Sequence, residues 1–179
     1  MIRNLEILII VFCIFNSCKE RTDNKISEKD ISSSLNYLLD NVVSKAKHGD
    51  EYMIDSTFEK DLTISDLNNF SKLREISDSD IPFISTQYEK LKGKEIGKYI
   101  NERYLNKLLG DVPDSNVVYY LFAPPMFSVD RRIVVLYAKS IFKVKGDYKW
   151  DDLYFILKKH NETYSLLRFV KSSDIGNEK

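Results

Sequence analysis

Two stretches toward the C-terminal end are apolar on both of their alternating sets, and this limits the folds open to the chain. Along Arg132–Lys145, the set Ile133, Val135 and Tyr137 alternates with Val134, Leu136 and Ala138. Along Asp151–Lys159, the set Leu153, Phe155 and Leu157 alternates with Tyr154 and Ile156. A strand with one wet face is apolar only at every second position, so runs like these need cover on both sides. Thr163–Lys171 reads as a further strand. Val117–Phe127 reads as an edge strand broken at Pro124-Pro125, because proline has no N–H to give to a ladder. Short turns at 128–131, at Gly146-Asp147 and at 160–162 link these segments in order, which predicts a four-stranded antiparallel meander.

The first half reads as helical. Ser27 followed by Asp30 is a capping-box variant. Ile31, Leu35, Leu38, Leu39, Val42, Val43 and Ala46 then recur at helical spacing as far as Gly49, with Lys45, Lys47 and His48 in the last turn. Leu67, Phe70, Leu73 and Ile76 line one side of a second segment. Ile81-Pro82 opens a third that runs to Gly93, since proline is tolerated in a first helical turn. A fourth helix is predicted over about 95–109, with Tyr104, Leu105 and Leu108 on its buried side. The expected fold is therefore α+β: N-terminal helices (27–112) packed on a C-terminal four-stranded antiparallel meander (117–171), in one domain over 27–179. The second sheet face would be covered by residues 50–76, covered by a partner, or left as a ligand cleft. Tyr119, Tyr137, Trp150 and Tyr154 make a candidate aromatic face for a protein or glycan partner.

The N-terminus bears on location. Arg3 precedes a nine-residue apolar run, Ile7–Phe15. That length suits a signal-peptide core and is far short of the roughly 20 residues of a spanning helix. Ser17-Cys18 follows, and polarity changes abruptly at Lys19-Glu20-Arg21. Small Ser17 directly before Cys18 resembles a bacterial lipobox. The resemblance implies a signal peptide over 1–17, acylation of Cys18, and a polar tether over 18–26. The lipid bilayer would then be one partner, reached through the acylated Cys18.

Lysine and arginine total 27, as do aspartate and glutamate, and residues 1–17 hold one of each sign. A balanced chain gives no electrostatic case for nucleic acid. Of the two cysteines, Cys13 lies in the apolar run and Cys18 at the lipobox. The remainder has no thiol for a disulfide, a metal site or a nucleophile.

From about Asp78 onward the chain resembles small, uncharacterised Bacteroidetes-type lipoproteins. The residues that carry the resemblance are Asp80-Ile81 with Gln87 at a helix start, and the turn Pro125-Met126-Phe127-Ser128-Val129-Asp130. It implies export and attachment to the outer membrane of a Gram-negative bacterium, facing the periplasm or the cell surface, and no activity.

Candidate chemistry is sparse. Ser128 and Asp130 form a catalytic dyad, a cation site, or a turn whose side chains bond the local backbone, and turn chemistry favours the last. Arg131 and Arg132 read as an anion clamp or as solvated turn residues. Asp66, Glu75, Asp78 and Asp80 lack the glycine and distal glutamate of a calcium loop. His48 and His160 have no histidine or cysteine at zinc spacing. Asp55-Ser56-Thr57 resembles a short O-glycosylation acceptor. No catalytic residue, metal or cofactor is assigned. The expectation is a non-catalytic binding module of the cell envelope; an envelope-acting hydrolase and an immunity-type inhibitor of a toxin are the alternatives.

Overall fold

The computed structural model describes residues 26–46, 51–62, 66, 69–113 and 117–175. The described residues hold seven strands: β1 (Tyr52–Asp55), β2 (Leu108–Leu109), β3 (Val118–Phe122), β4 (Met126–Phe127), β5 (Ile133–Val144), β6 (Asp147–His160) and β7 (Thr163–Lys171). Their order across one sheet is β2-β1-β3-β5-β6-β7, with β4 beside β5. β1 runs parallel to both neighbours, pairing Ile54 with Leu108 and Tyr52 with Val118; the other pairings are antiparallel. This mixed sheet overturns the expected four-stranded antiparallel meander. β3 is interior rather than an edge, because β1 and β2, both within the stretch read as helical, extend the sheet beyond it. β1 is too short to display an alternating pattern against its polar flanks.

Helix α1 (Glu28–Leu38) starts as the capping pattern requires: the Ser27 hydroxyl accepts the Asp30 N–H at 3.1 Å and donates to Asp30 Oδ2 at 2.8 Å. A π-helical turn, Leu39–Val43, extends it and keeps Leu38, Leu39 and Val43 all buried. Lys47, His48 and Gly49 lie outside the described residues. Helix α2 (Ile81–Leu91) carries Pro82 in its first turn. The helix predicted over 95–109 is instead two 3-10 turns, Ile96–Lys98 and Glu102–Lys107, followed by β2. Leu105, expected on a buried face, is 45% exposed there.

The sheet is covered on both sides from within the chain. On one face Tyr52, Ile54, Phe122, Leu136, Phe155 and Tyr164 pack with Ile31, Leu35 and Leu39 of α1 and with Ile96 and Tyr104. On the other, Val135, Tyr137, Tyr154, Ile156 and Val170 pack with Phe70, Leu73, Ile76 and, from α2, Ile84 and Tyr88. Tyr164 and Val170, six positions apart on β7, would share a face in a regular strand. They lie on opposite faces because a bulge leaves Leu167 without a partner: Leu157 pairs with Leu166, and Ile156 with Arg168.

Two side-chain amides fix the helices to backbone N–H and C=O groups that are not bonded to a neighbouring strand. Asn36 of α1 donates to Tyr99 O at 2.9 Å and accepts from Asn101 N–H at 2.8 Å. Gln87 of α2 does the same for Phe127 of β4. Both amides are buried, so each meets backbone groups that water does not reach.

Candidate functional site

Of the four aromatic residues read as a binding face, the structure places three in the interior. Tyr119 and Tyr137 are 1% exposed and Tyr154 is 0%. Tyr154 meets Tyr137 edge-on at 5.3 Å and Phe70 at 5.5 Å, so its ring is part of the packing under α2. Burial, then a 2.6 Å hydrogen bond donated to Asp152, pushes the Tyr137 phenol well above its ordinary range. Burial raises Tyr154 to about 12. Tyr119 donates to Asp55 Oδ2 at 2.9 Å and is likewise raised, first by burial and then by that bond. These residues do not form an open aromatic face.

Trp150 is different. It is 63% exposed, the most open large apolar residue among those described. The cause is length. β5 and β6 pair without interruption from Ile133–Lys158 out to Val144–Asp147. β3 pairs with β5 only as far as Ile141, and β7 reaches β6 only at Leu153. Beyond those points the two strands continue as a ribbon with no neighbour in the sheet. Its turn has Lys145 at φ 53° and Gly146 at φ 93°, the positive pair that a two-residue hairpin needs and that glycine adopts without strain. On one face of the ribbon Trp150 sits opposite Ile141, and Tyr148 opposite Lys143. The Lys143 ammonium lies 5.6 Å from the Tyr148 ring centre, and Tyr148, 43% exposed, donates to Pro113 O at 3.4 Å. Over residues 142–152 the three lysines, Lys143, Lys145 and Lys149, are balanced by Asp147, Asp151 and Asp152. The tip is an exposed aromatic platform without net charge, suited to stacking.

Reading the third strand as starting at Asp151 hid this, because it left 148–150 in a turn. The signal was present: Lys145-Gly146 fits a two-residue turn, and residues 147–150 continue the pairing.

The polar residues near the turn at 128–131 serve structure. Ser128 Oγ donates to Asp130 Oδ1 at 2.7 Å and accepts from Ile133 N–H at 3.1 Å, and Asp130 Oδ1 also accepts from Arg132 N–H at 3.0 Å. The bond from the Arg132 backbone, then that from Ser128, holds the Asp130 carboxyl below its ordinary range. Asp80, 7% exposed, accepts from Val129 N–H at 2.7 Å and from Ser77 N–H and Oγ at 2.9 and 2.6 Å. Burial raises its carboxyl, and those three bonds more than offset that, leaving the pKa lowered. Asp80 and Gln87 from one quoted motif thus grip Val129 and Phe127 from the other. The two short sequences form one structural joint between α2 and the β4 turn.

Other candidates separate. His160 faces Ser165 Oγ at 3.2 Å. Among the described residues no three histidine, cysteine, aspartate or glutamate side chains are grouped to hold a metal. Thr57 donates its hydroxyl to Asp55 Oδ1 at 2.9 Å, so the Asp55-Ser56-Thr57 motif is a closed turn after β1. Arg132 lies 3.7 Å from Asp130 on the surface. Cys18 and the apolar run before it lie outside the described residues. Among those described, no helix is long and apolar enough to cross a membrane. No known protein family matches the chain, and no curated protein or solved structure is significantly similar to it.

Proposed function

We propose that the protein is an exported lipoprotein, attached through acylated Cys18 to the outer membrane of a Gram-negative bacterium. Its domain would be a non-catalytic binding module that presents the β5–β6 ribbon to an envelope protein or glycan. The attachment rests on the sequence: a short apolar core, a small residue, then Cys18 where polarity begins. The observation that carries the binding role is Trp150, 63% exposed on a ribbon that outruns its sheet.

The two features support each other by placement. Lys159 pairs with Asp30 and Lys29 with Glu162, so α1 starts beside the β6–β7 turn. β6 has 14 residues, and at about 3.3 Å each Trp150 and Tyr148 near its other end lie roughly 33 and 40 Å from His160. A tether entering at α1 would leave the ribbon pointing off the membrane. The polar groove at Asp80, Ser128 and Asp130, the nearest thing to a hydrolase site, has its oxygens engaged with local N–H and O–H groups.

A photo-crosslinking amino acid at position 150 of the anchored protein in living cells tests the reading. A discrete adduct formed from position 150, and not from the exposed control position 105, supports it. No adduct, or the same adducts from both positions, overturns it.

A further inference from the structure

Beyond that role, we infer that the cleft between α1 and α2 is a binding site for a medium-chain fatty carboxylate. α1 covers one sheet face; α2 packs Ile84 and Tyr88 on the other and reaches the outer edge of β4 through Gln87, which bonds Phe127. β1 pairs with β3 only from Val118 to Tyr120, so no strand flanks β4. The two helices therefore face one another around an open corner of the sheet. They leave a cleft of about 180 Å³ between Ile31 of α1, Phe83 and Leu91 of α2, and Tyr99.

The walls select the ligand. A volume of roughly 150 Å³ already accommodates benzene in an apolar cavity, so this cleft suits a short aliphatic chain. Gln87 also borders it, but its amide is bonded to Phe83 O, Phe127 O and Phe127 N–H. Ile31, Phe83 and Leu91 present only carbon, and the Gln87 amide is already committed to backbone groups, so the wall favours hydrocarbon over a polar group.

The mouth decides the head group. Lys90 and Lys94 border the cleft from the C-terminal end of α2 and Glu28 from the first turn of α1. Neither lysine is in an ion pair among the described residues, whereas the adjacent Lys92 is held by Glu89 at 2.8 Å. A carboxylate beside the lysines is attracted, and Glu28 disfavours the same charge on the α1 side, which fixes the ligand's direction.

The test is calorimetric titration of the full chain with octanoate, and with octanol as the uncharged probe. Saturable octanoate binding is expected, tighter than octanol. Lys90→Gln/Lys94→Gln should weaken octanoate by about tenfold and leave octanol unchanged. Thr86→Trp, at the exposed lip, should abolish both without touching the core. Absence of octanoate binding overturns the inference, as does binding that survives Thr86→Trp, or equal affinity for the two probes. All of these readouts are independent of acylation at Cys18 and of the ribbon, so they stand or fall apart from the proposed function.

Discussion

Gln87 and Phe127 exchange two hydrogen bonds across the joint between α2 and β4: Nε2 donates to the Phe127 carbonyl at 2.8 Å, and the Phe127 N–H donates to Oε1 at 2.9 Å. The side chain takes the place of a missing strand. Phe127 pairs with Val134 of β5, and Ser128 N–H reaches Ile133 O, so the Phe127 amide groups face away from β5. Gln87→Ala would strand both in the interior. The expected cost is about 2–6 kcal/mol, two groups at roughly 1–3 kcal/mol each, read as a lower urea midpoint with unchanged slope. A loss below about 0.5 kcal/mol, the ordinary scatter of surface changes, would show that water replaces the amide.

Asp80 gives a pH signature. Its folded pKa lies below the ordinary 3.8, so its bonds add stability above that value, and the gain disappears as pH falls through the folded pKa. Asp80→Asn should therefore be less stable than the wild type at pH 7, and the gap should close as pH falls below 3.8 through the folded pKa. Melting temperatures measured across that range would show it. A constant gap down to the lowest pH would mean that the carboxylate charge contributes nothing.

Tyr137 and Tyr154 are neighbours with opposite expectations. Tyr137 donates to Asp152, so Tyr137→Phe should cost about 1–2 kcal/mol. The Tyr154 hydroxyl is buried with no partner at bonding geometry, although the Asn69 and Ser172 side chains are close by. Tyr154→Phe should therefore be neutral or slightly stabilising, whereas Tyr154→Ala should cost about 3–5 kcal/mol through the cavity it leaves. Paired denaturant curves decide it; a Tyr154→Phe penalty equal to that of Tyr137→Phe would assign the hydroxyl a bond.

The bulge at Leu167 turns Arg168 onto the α2 face, where it meets Glu75 at 2.8 Å with both side chains largely buried. Arg168→Met alone leaves Glu75 in the interior and should cost about 3–5 kcal/mol. Among the described residues, exposed Arg74, 3.2 Å from Glu75, is the other cation at that carboxylate. Adding Glu75→Leu should restore most of the loss. If the double variant is no better than the single, the pair is not acting as a unit.

What the sequence revealed follows from the length of each signal. The Ser27 cap, the Pro82 start, β5, β7 and two-sided burial are all carried by patterns of several residues, and each is found. β1 and β2 are four and two residues long, below the span over which a period of two can be told from chance. The 95–109 stretch has helical spacing, but tertiary packing divides it into 3-10 turns held by Asn36. The aromatic reading turned on exposure, which a sequence does not encode for an individual tyrosine: strands apolar on both faces made Tyr137 and Tyr154 interior, and ribbon length exposed Trp150. The Gln87–Phe127 joint was visible only as two short motifs 40 residues apart, whose contact depends on β4 lacking an outer strand.

Attachment through Cys18 is the central claim, and the mass of the mature N-terminus tests it most directly. Intact-mass and peptide mapping of protein extracted from envelopes should show a chain beginning at Cys18 and carrying the added mass of a diacylglyceryl or triacyl group. A chain that retains Met1, or one with an unmodified Cys18 thiol, would contradict it.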